Sequence, residues 1–276
     1  MSLTVNTNLS TLAATNSLNI TQGKLSETLT RISSGLRVTK AADDAAGQAV
    51  AQNLGTLARS GRQAVRNSND GISVIQTAEA ATKEVLNILD RMRELAVQSA
   101  SETLADDERE YIDDEFDELS EEVERIAQAT EFNDLALSDG SSTSLIVQVG
   151  VTSGTESEVT ITLGDLTAST LGVNTAAIDL SSATTAQSAL DEIDTAIDSV
   201  NSIRANYGST QNRLDSAIAN MTTYVESLTA ARSQIMDADY AHETSEMTRL
   251  QVMQQAGVAA LGQAKGINQS VIALLG

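Results

Sequence analysis

The segment LDEIDTAIDSVNSIRANYGSTQNRLDSAIANMTTYVESLTAARSQI, residues 190–235, decides the fold class. Large side chains recur in it at alternating spacings of three and four residues, which is the period of a coiled-coil helix. The resulting seam is Leu190, Ile193, Ile197, Val200, Arg204, Tyr207, Gln211, Leu214, Ile218, Met221, Val225, Leu228, Arg232 and Ile235. Despite its polar positions at 204, 211 and 232, this seam predicts one long helix packed against other helices.

Three earlier segments carry the same period and extend the helical prediction towards the N-terminus. Their seams are Leu25, Leu29, Ile32 and Leu36; Val85, Leu89, Met92 and Ala96; and Ile112, Phe116, Leu119, Val123 and Ile126. Gly35 offers a left-handed end to the first of these helices. The second lies at the end of a longer helical region that begins near Asp43.

The absence of proline favours long helices over many short ones. Average usage would place about 14 prolines in a chain of this length, and the 276 residues contain none. A helix over residues 43–100 would be about 87 Å long, whereas a sphere of this chain would be about 48 Å across. The sequence therefore predicts a mainly α fold, an elongated coiled-coil helical bundle, unless Gly61 and Gly71 break the long helix.

A short β region interrupts the helices between Ser138 and Thr185, where Ser, Thr, Gly and β-branched residues replace the helical period. Leu145–Val149 and Val159–Leu163 alternate in the manner of strands, with Gly150 and Gly154 between them. The pattern predicts a small β-hairpin. Because two strands alone are marginally stable in water, we expect this hairpin to pack on the helices.

Composition excludes several classes of protein. The 17 basic and 38 acidic residues give a formal net charge of −21, which opposes nucleic-acid binding. With no cysteine, disulfides, thiolate catalysis and cysteine-based zinc sites are excluded. The first 23 residues are uncharged, so no cleaved signal peptide with a basic start is expected. No apolar run of 18 residues is present, so membrane insertion is not expected.

The two ends of the chain differ sharply from its middle. Residues 101–125 hold thirteen acids against two bases, whereas residues 1–22 carry no charge and residues 250–276 carry only Lys265. The terminal helices either pair within one bundle or remain incompletely buried until copies of the chain cover them. Apolar residues at 250, 257 and 261 and at 253 and 260 trace two faces of the C-terminal helix, and this favours the second interpretation.

No catalytic, cofactor-binding or metal-binding residues are predicted, and an enzyme is not expected. The one cluster of candidate ligands is Asp237, Asp239, His242, Glu243 and Glu246. HETSE departs from the HExxH metal motif and the chain has no second histidine, so these acids are interpreted as helix-start residues. Asp43 and Asp44 are interpreted in the same way. The acidic run at 101–125 lacks the glycine-centred loop of a calcium site and reads as a solvated face.

Several long motifs resemble bacterial flagellins, in the same order along the chain. They are RISSGLRVTKAADDAAGQAVA at 31–51, RNSNDGISVIQTAEAA at 66–81, MRELAVQSA at 92–100, IVQVG at 146–150, and ARSQIMDADYAHETSEMTRLQVMQQAGVAALGQAKGINQSVIALLG at 231–276. The resemblance covers both termini and the central helices. From about Gly140 to Ala189 the chain holds only the hairpin and a short connector, so the large variable outer domains of longer flagellins are not expected.

The resemblance implies a structural subunit that polymerises into the flagellar filament for motility, with terminal helices that become ordered on assembly. It implies an inner core domain of residues 1–43 and 236–276. Residues 44–235 would form an outer core helical bundle with the hairpin near 144–164. The expected polymerisation core consists of Leu9, Leu12, Leu18, Leu25, Leu29, Ile32, Leu250, Leu261, Val271 and Leu275.

The resemblance also implies partners. Besides other copies of the chain, these are a flagellar export chaperone, the filament cap and junction proteins, with secretion by the flagellar type III pathway to an extracellular flagellum. A further surface would be recognised by Toll-like receptor 5 and contribute to subunit packing, or would serve packing alone. Its residues are Arg91, Met92, Arg93, Glu94, Leu95, Ala96, Val97 and Gln98, with Ile112 and Glu115.

Three alternatives remain open at the level of sequence. A hook-filament junction protein shares the terminal resemblance, but the blocks NDGISVIQTAEAA and RELAVQSA favour the filament subunit. Another extracellular coiled-coil structural protein, or a cytoplasmic signalling coiled coil, would carry similar heptads. An enzyme would need a cluster of reactive residues, which the sequence does not offer.

Overall fold

The computed structural model describes the backbone of residues 8–275 and the side chains as far as Ala264. Within this part of the chain, six α-helices dominate and two short antiparallel hairpins lie between the third and fourth helices. The elements are α1 Leu9–Ser34, α2 Ala45–Ser99, α3 Asp106–Ala129, β1 Glu131–Phe132, β2 Leu135–Ala136, β3 Ser144–Gln148, β4 Glu158–Thr162, α4 Ala168–Leu171, α5 Ala183–Met236 and α6 Tyr240–Leu275. The predicted mainly α class with a small β region is confirmed.

The chain divides into two compact units. The terminal unit comprises Met1–Thr56 and Ser227–Gly276, and the central unit comprises Leu57–Glu226. The terminal unit contains α1 and α6, and the central unit contains α3, α4 and both hairpins. The boundaries expected for filament domains, after residues 43 and 235, stay a prediction.

The long helix α2 continues without interruption through Gly61 and Gly71, the two glycines at which the sequence allowed a break. A Cβ atom at Gly61 would lie 2.6 Å from Cγ2 of Val225, and one at Gly71 would lie 3.0 Å from Cγ2 of Val147. A β-branched neighbour has little rotamer freedom to move away. These glycines therefore allow other elements to approach α2 closely, and their low helix propensity is outweighed by packing.

The largest core of the central unit joins α2, α3 and α5. Leu89, Met92, Phe116, Ile193 and Val200 are fully buried in it. The seam predicted at residues 85–96 is confirmed at all its positions, because each of them is buried. The α3 seam is also confirmed, with Leu119 and Ile126 packed at its edge.

The predicted α5 seam is confirmed at Ile193 and Val200, which are fully buried, and is displaced by one residue at two other positions. Ala189 and Ala196 are buried, whereas Leu190 and Ile197 are partly buried. A small side chain brings two helix backbones closer together, so alanine occupies the contact line and the larger neighbour covers its edge. Arg232, one of the polar seam positions, is exposed.

The predicted hairpin packs on helices as expected. Its strands pair Ser144 with Thr162 through Gln148 with Glu158. The inward positions predicted from alternation are all buried, together with residues of α2 and α5. They are Val147, Val149, Val159, Ile161 and Leu163. The buried Tyr207 hydroxyl of α5 accepts a hydrogen bond from the Gly164 N–H at 3.0 Å and so fixes the end of β4.

Acidic and amide side chains fix the helix ends. Asp44 accepts from the Gly47 N–H at 2.8 Å and caps α2, and Asp239 accepts from the Ala241 N–H at 2.9 Å and caps α6. The prediction that Asp43 also starts the helix is wrong. Its carboxylate instead accepts from the N–H groups of Thr39 and Lys40 and closes the preceding loop, and these bonds lower its pKa.

Two glycine-to-alanine variants test the packing role of Gly61. Alanine at Gly61 overpacks the contact with Val225 and is expected to lower the free energy of unfolding by about 1–3 kcal/mol. Alanine at Gly208, where a Cβ would meet nothing within 4 Å, is expected to raise it by about 0.5–1 kcal/mol through helix propensity. Urea unfolding followed by circular dichroism measures both. A stabilising Gly61→Ala would contradict the close approach.

Candidate assembly surfaces

The terminal helices α1 and α6 pair through one face of each. Thr21, Leu25 and Thr28 form the buried line of α1, and Leu250 of α6 is 1% exposed. Nearer the other end of the pair, Gly257 lies against Leu18, since a Cβ there would be 3.2 Å from its Cδ1. The residues that pair the helices are therefore leucines, threonines and a glycine on one face of each helix.

The loops at one end of this helix pair are bonded to each other. The Arg37 N–H donates to the Met236 carbonyl at 2.6 Å, and the Ala238 N–H donates to the Gly35 carbonyl at 2.9 Å. Gly35 caps α1 with φ of 70°, a left-handed conformation that favours glycine. The predicted helix end at this residue is confirmed.

An ion pair lies in the contact between the two helices. The Glu243 side chain of α6 is 8% exposed, and its Oε1 lies 3.5 Å from Nη1 of Arg31 on α1. Arg31 also binds Glu27 on its own helix at 2.7 Å. Sequence reasoning grouped Glu243 with the helix-start acids and missed this contact, because only the pairing of the helices brings Arg31 to it.

Apolar side chains on the remaining faces of α1 and α6 are left in solvent. Leu9 and Leu12 are 70% and 67% exposed, and Val252 and Val258 are 59% and 57% exposed. Ile20, Leu29 and Met253 are exposed as well. The stretches at residues 9–20 and 250–258 have no charged residue to keep such faces in water, whereas Leu29 has Glu27 and Arg31 beside it. A single partner helix covers one face, and the second apolar face stays open.

The structure sorts the expected polymerisation core into three groups. Leu25 and Leu250 are buried in the helix pair; Leu18, Ile32 and Leu261 are partly buried; Leu9, Leu12 and Leu29 are exposed. The side chains of Val271 and Leu275 lie outside the described residues. Ile20 and Val252 were not predicted, although Leu9, Leu12, Asn16 and Ile20 follow one another on one helical face at spacings of three, four and four.

A second surface, on α2 and α3 of the central unit, is built around Arg91. Its guanidinium donates to Glu115 of α3 at 3.0 and 2.7 Å and to Glu94 at 3.0 Å. Hydrogen bonding to Glu115 is the main cause of the raised pKa of Arg91. Arg93 points to another neighbour and donates to Asp194 of α5 at 2.6 Å.

The predicted receptor and packing residues do not all reach solvent. Met92, Leu95, Ala96 and Ile112 are buried in the core, so the expectation that they contribute to an accessible surface is corrected. The 3.6-residue period turns them inward between their neighbours. The members that remain exposed are Arg91, Arg93, Glu94, Val97, Gln98 and Glu115.

A buried arginine missed by sequence reasoning holds the turn beside this surface. Arg109 is 5% exposed, and its guanidinium donates to the carbonyls of Ser99 at 2.9 Å, Ser101 at 2.6 Å and Leu104 at 3.1 Å. It thus bonds the carbonyls at and just beyond the end of α2, which have no partner within that helix. In the sequence it was one of two bases in an acidic run, and nothing marked it as buried.

Within residues 8–275, no group of three His, Cys, Asp or Glu side chains has an arrangement suited to a metal ion. In the same residues, no helix is long and apolar enough to cross a membrane. The described surfaces are helix faces, and such faces are suited to contact with other protein surfaces.

Comparison with known proteins identifies the class. Residues 5–143 match the bacterial flagellin N-terminal helical region, and residues 190–275 match the bacterial flagellin C-terminal helical region. The flagellin of Halalkalibacterium halodurans is 42% identical over 98% of this chain and 99% of its own. The flagellin of Bacillus subtilis is 35% identical, again over 98% and 99%.

Further relatives agree. The flagellar filament 33 kDa core protein of Treponema phagedenis is 33% identical over 98% of this chain and 99% of its own. The crystal structure of Bacillus cereus flagellin matches with a TM-score of 0.50 and 32% identity, over 56% of this chain and 88% of that one.

The fold and these matches define a structural protein of the bacterial flagellum. The chain belongs to the bacterial flagellin family and is a structural subunit of the flagellar filament. The alternative of a hook-filament junction protein is not favoured.

Replacing Arg109 tests its role in the α2–α3 turn. Arg109→Met leaves three carbonyls without their donor, and we expect the free energy of unfolding to fall by about 2–4 kcal/mol. Arg125→Met, which breaks only the exposed contact with Glu122, serves as the control and should change stability little. Chemical unfolding of both variants measures the difference. Equal stabilities would show that the buried hydrogen bonds add nothing.

Proposed function

We propose that this chain is held in its filament by the apolar faces that α1 and α6 leave exposed. The observation that carries the proposal is the exposure of Leu9, Leu12, Val252 and Val258 on two helices that are otherwise uncharged in these stretches. In the polymer, neighbouring subunits cover these faces. Burial of one such side chain contributes about 1.5–3 kcal/mol, and many copies around one axis add their contributions.

Such a contact is heterologous, because the exposed faces of α1 and α6 meet different surfaces of the next subunit. A heterologous contact that does not close generates an open helical polymer. We propose that ordering of the terminal segments accompanies this step. The conformational entropy lost on ordering opposes assembly, and apolar burial against neighbouring copies offsets it.

Export and the remaining partners follow from the same apolar faces. We propose that the chain leaves the cell by the flagellar type III route and that an export chaperone covers the apolar faces of α6 beforehand. The cap and junction proteins would then meet the same terminal helices at the two ends of the filament. An uncovered apolar surface promotes association, so covering it before export prevents premature polymerisation.

A further proposal concerns the Arg91 surface. We propose that it binds Toll-like receptor 5 in the monomer and packs against another subunit in the filament. The network of Arg91, Glu94 and Glu115 presents charged groups at a fixed position, with Val97 beside them as an exposed apolar contact. Arginine with a neighbouring apolar side chain is a common centre of protein interfaces.

Two variants test the terminal faces. A deletion of residues 260–276 should remain soluble and largely helical and should fail to polymerise. The double substitution Leu12→Gln with Val258→Gln keeps full length, and we expect its critical concentration for polymerisation to rise about a hundredfold or more, since two buried apolar contacts are lost. Sedimentation of polymer and circular dichroism of monomer are the measurements.

The matched control changes exposed amides on the same two helices, Asn19→Gln with Gln263→Asn, and should polymerise as the unaltered chain does. Pelleting of the deletion variant under conditions that polymerise the full chain would refute the proposal. So would an unchanged critical concentration for Leu12→Gln with Val258→Gln.

The receptor proposal is tested with monomer and the receptor ectodomain. Arg91→Ala should weaken binding by about tenfold, as expected for an arginine near the centre of an interface. Arg125→Ala, which removes another exposed arginine ion pair of the central unit, is the control and should bind normally. Surface plasmon resonance measures both. If the Arg91 and Arg125 variants bind the receptor with equal affinity, the receptor proposal is wrong and the surface serves subunit packing only.

A further inference from the structure

One face of α3 carries a row of carboxylates without partners. Asp107, Glu110, Asp114, Glu118 and Glu121 follow each other at spacings of three, four, four and three residues, which places them on one helical face. All five are exposed. Within the described residues, none of these five side-chain carboxylates has a hydrogen bond or an ion pair. We call this row the acidic stripe.

The neighbouring acids of α3 are engaged elsewhere. Glu115 binds Arg91, Glu122 binds Arg125, and Asp113 accepts from the Leu180 N–H at 2.8 Å. The acidic stripe is therefore a distinct set rather than a random part of an acidic helix. The pKa of Asp117, beside the stripe, is raised by burial and then by the charges of Asp113 and Asp114, as expected on a strongly negative face.

The opposite charge is concentrated on α2. Residues 45–69 contain no acid, although the chain as a whole has a charge of −21, and they hold Arg59, Arg62 and Arg66 at spacings of three and four. Arg62 and Arg66 are exposed, and in the described part of the chain neither lies within ion-pair distance of a carboxylate. The Arg66 Nε–H instead donates a hydrogen bond to Oε1 of Gln63 at 3.1 Å. We call the three arginines the basic stripe.

Three other exposed arginines of the central unit are paired, whereas the exposed Arg213 of α5 also has no ion pair within the described residues. Arg91 lies 2.7 Å from Glu115, Arg93 lies 2.6 Å from Asp194, and Arg125 lies 2.6 Å from Glu122. Arg62 and Arg66 differ from Arg213 in lying one helical turn apart on one face of α2, so in the described part of the chain they form a row of positive charge without an ion pair to a carboxylate. On its own helix Arg66 bonds the amide of Gln63, and Asp70, the first acid of α2 after the acid-free segment, forms no ion pair with it within the described residues.

We propose that Arg62 and Arg66 of one subunit bind the acidic stripe of α3 on a second copy of the chain. The inference rests on the proposed polymerisation and adds a defined contact to it. The arginines from 59 to 66 span ~10 Å along α2 and the acids from 107 to 121 span ~21 Å along α3, so the longer row can accept the shorter one. Because the two stripes are different surfaces, the contact is heterologous and extends an open polymer.

A second copy is the partner that the charges favour. The net charge of −21 repels a free polyanion from the chain as a whole, so the basic stripe alone has little to attract one. Copies of the chain also repel each other because of their net charge. When the basic stripe of one copy faces the acidic stripe of another, however, opposite charges meet. Exposed ion pairs are weak contributors to affinity but strongly select orientation. The contact therefore sets the register of subunits that the apolar terminal helices hold together.

Charge reversal in the full-length chain tests the contact. Arg62→Glu with Arg66→Glu reverses the two arginines of the basic stripe that the proposal uses, and Lys83→Glu with Arg213→Glu is the control. The control residues are exposed on the central unit without an ion pair in the described residues, and both doubles shift net charge by four, two for each reversal. At low ionic strength we expect the critical concentration of the stripe variant to exceed that of the control by about tenfold. The difference should vanish near 1 M salt, where the screening length is about 3 Å.

The reciprocal variant separates a specific contact from general repulsion. Asp114→Arg with Glu118→Arg lowers the net negative charge by four, so general repulsion alone would make it polymerise more readily. The proposed contact requires the reverse, a raised critical concentration. All four substitutions together restore opposite charges on the two stripes and should return the value to within about twofold of the unaltered chain.

The outcomes are distinct. If Arg62→Glu with Arg66→Glu polymerises as the control does, or the fourfold variant is no better than either double, the charge contact is wrong while polymerisation stands. Enhanced polymerisation of Asp114→Arg with Glu118→Arg would also overturn it. If the unaltered chain forms no polymer, the proposed function itself fails. Circular dichroism of each monomer confirms that the substitutions leave the helices intact.

Discussion

The pairing of α1 with α6 through one face each is the contact on which the proposed assembly depends. Both helices are apolar on more than one side, their stretches at residues 9–23 and 250–264 carry no charge, and one partner helix covers only one side. Thr21, Leu25 and Leu250 are enclosed by the pair, while Leu12 and Val258 stay in water. A chain whose paired terminal helices leave such faces open has a strong reason to associate, because the hydrophobic effect acts wherever apolar area remains exposed. Polymer formation is then the completion of a core that one chain begins.

The central unit has the opposite character. Its core is complete within the chain: Phe116, Ile193 and Tyr207 are fully buried, and the hairpin covers the middle of the helices. Its surface is strongly acidic, which keeps the unit soluble and discourages indiscriminate contacts. Apolar burial is strong and has little directionality, whereas exposed charges are weak and depend on orientation. The terminal helices can therefore supply the energy of assembly while the charged faces of the central unit determine how subunits are aligned.

Periodicity predicted the helices and the hairpin because these patterns reflect burial within each element. The seam at Leu89 and Met92 and the inward alternation around Ile161 needed no knowledge of a partner. What periodicity missed depends on contacts between distant segments. Arg109 is buried because the end of α2 offers it three carbonyls, and Ala196 replaces Ile197 on the contact line because helix spacing there favours a small side chain. Likewise, the sequence of α1 alone does not show which of its apolar faces contacts α6 and which stays exposed.

The ion pair between Arg31 and Glu243 explains how two such uniform helices find one register. Small and apolar side chains repeat along α1 and α6, so a shift by one turn, about 5.4 Å, would still bury apolar surface. A shift of that size would leave Glu243 enclosed without Arg31, and an unpaired buried carboxylate is costly. The bonds between Arg37 and Met236 and between Ala238 and Gly35 hold the adjoining loops at the same level. The enclosed polar contacts that oppose a shift of register therefore lie at one end of the pair. Further along, the Gln254 amide donates to Oε1 of Gln22, and the Asn8 amide donates to the Ala264 carbonyl at 3.4 Å. The exposed apolar faces lie outside these contacts, and these are the faces that we propose neighbouring subunits cover.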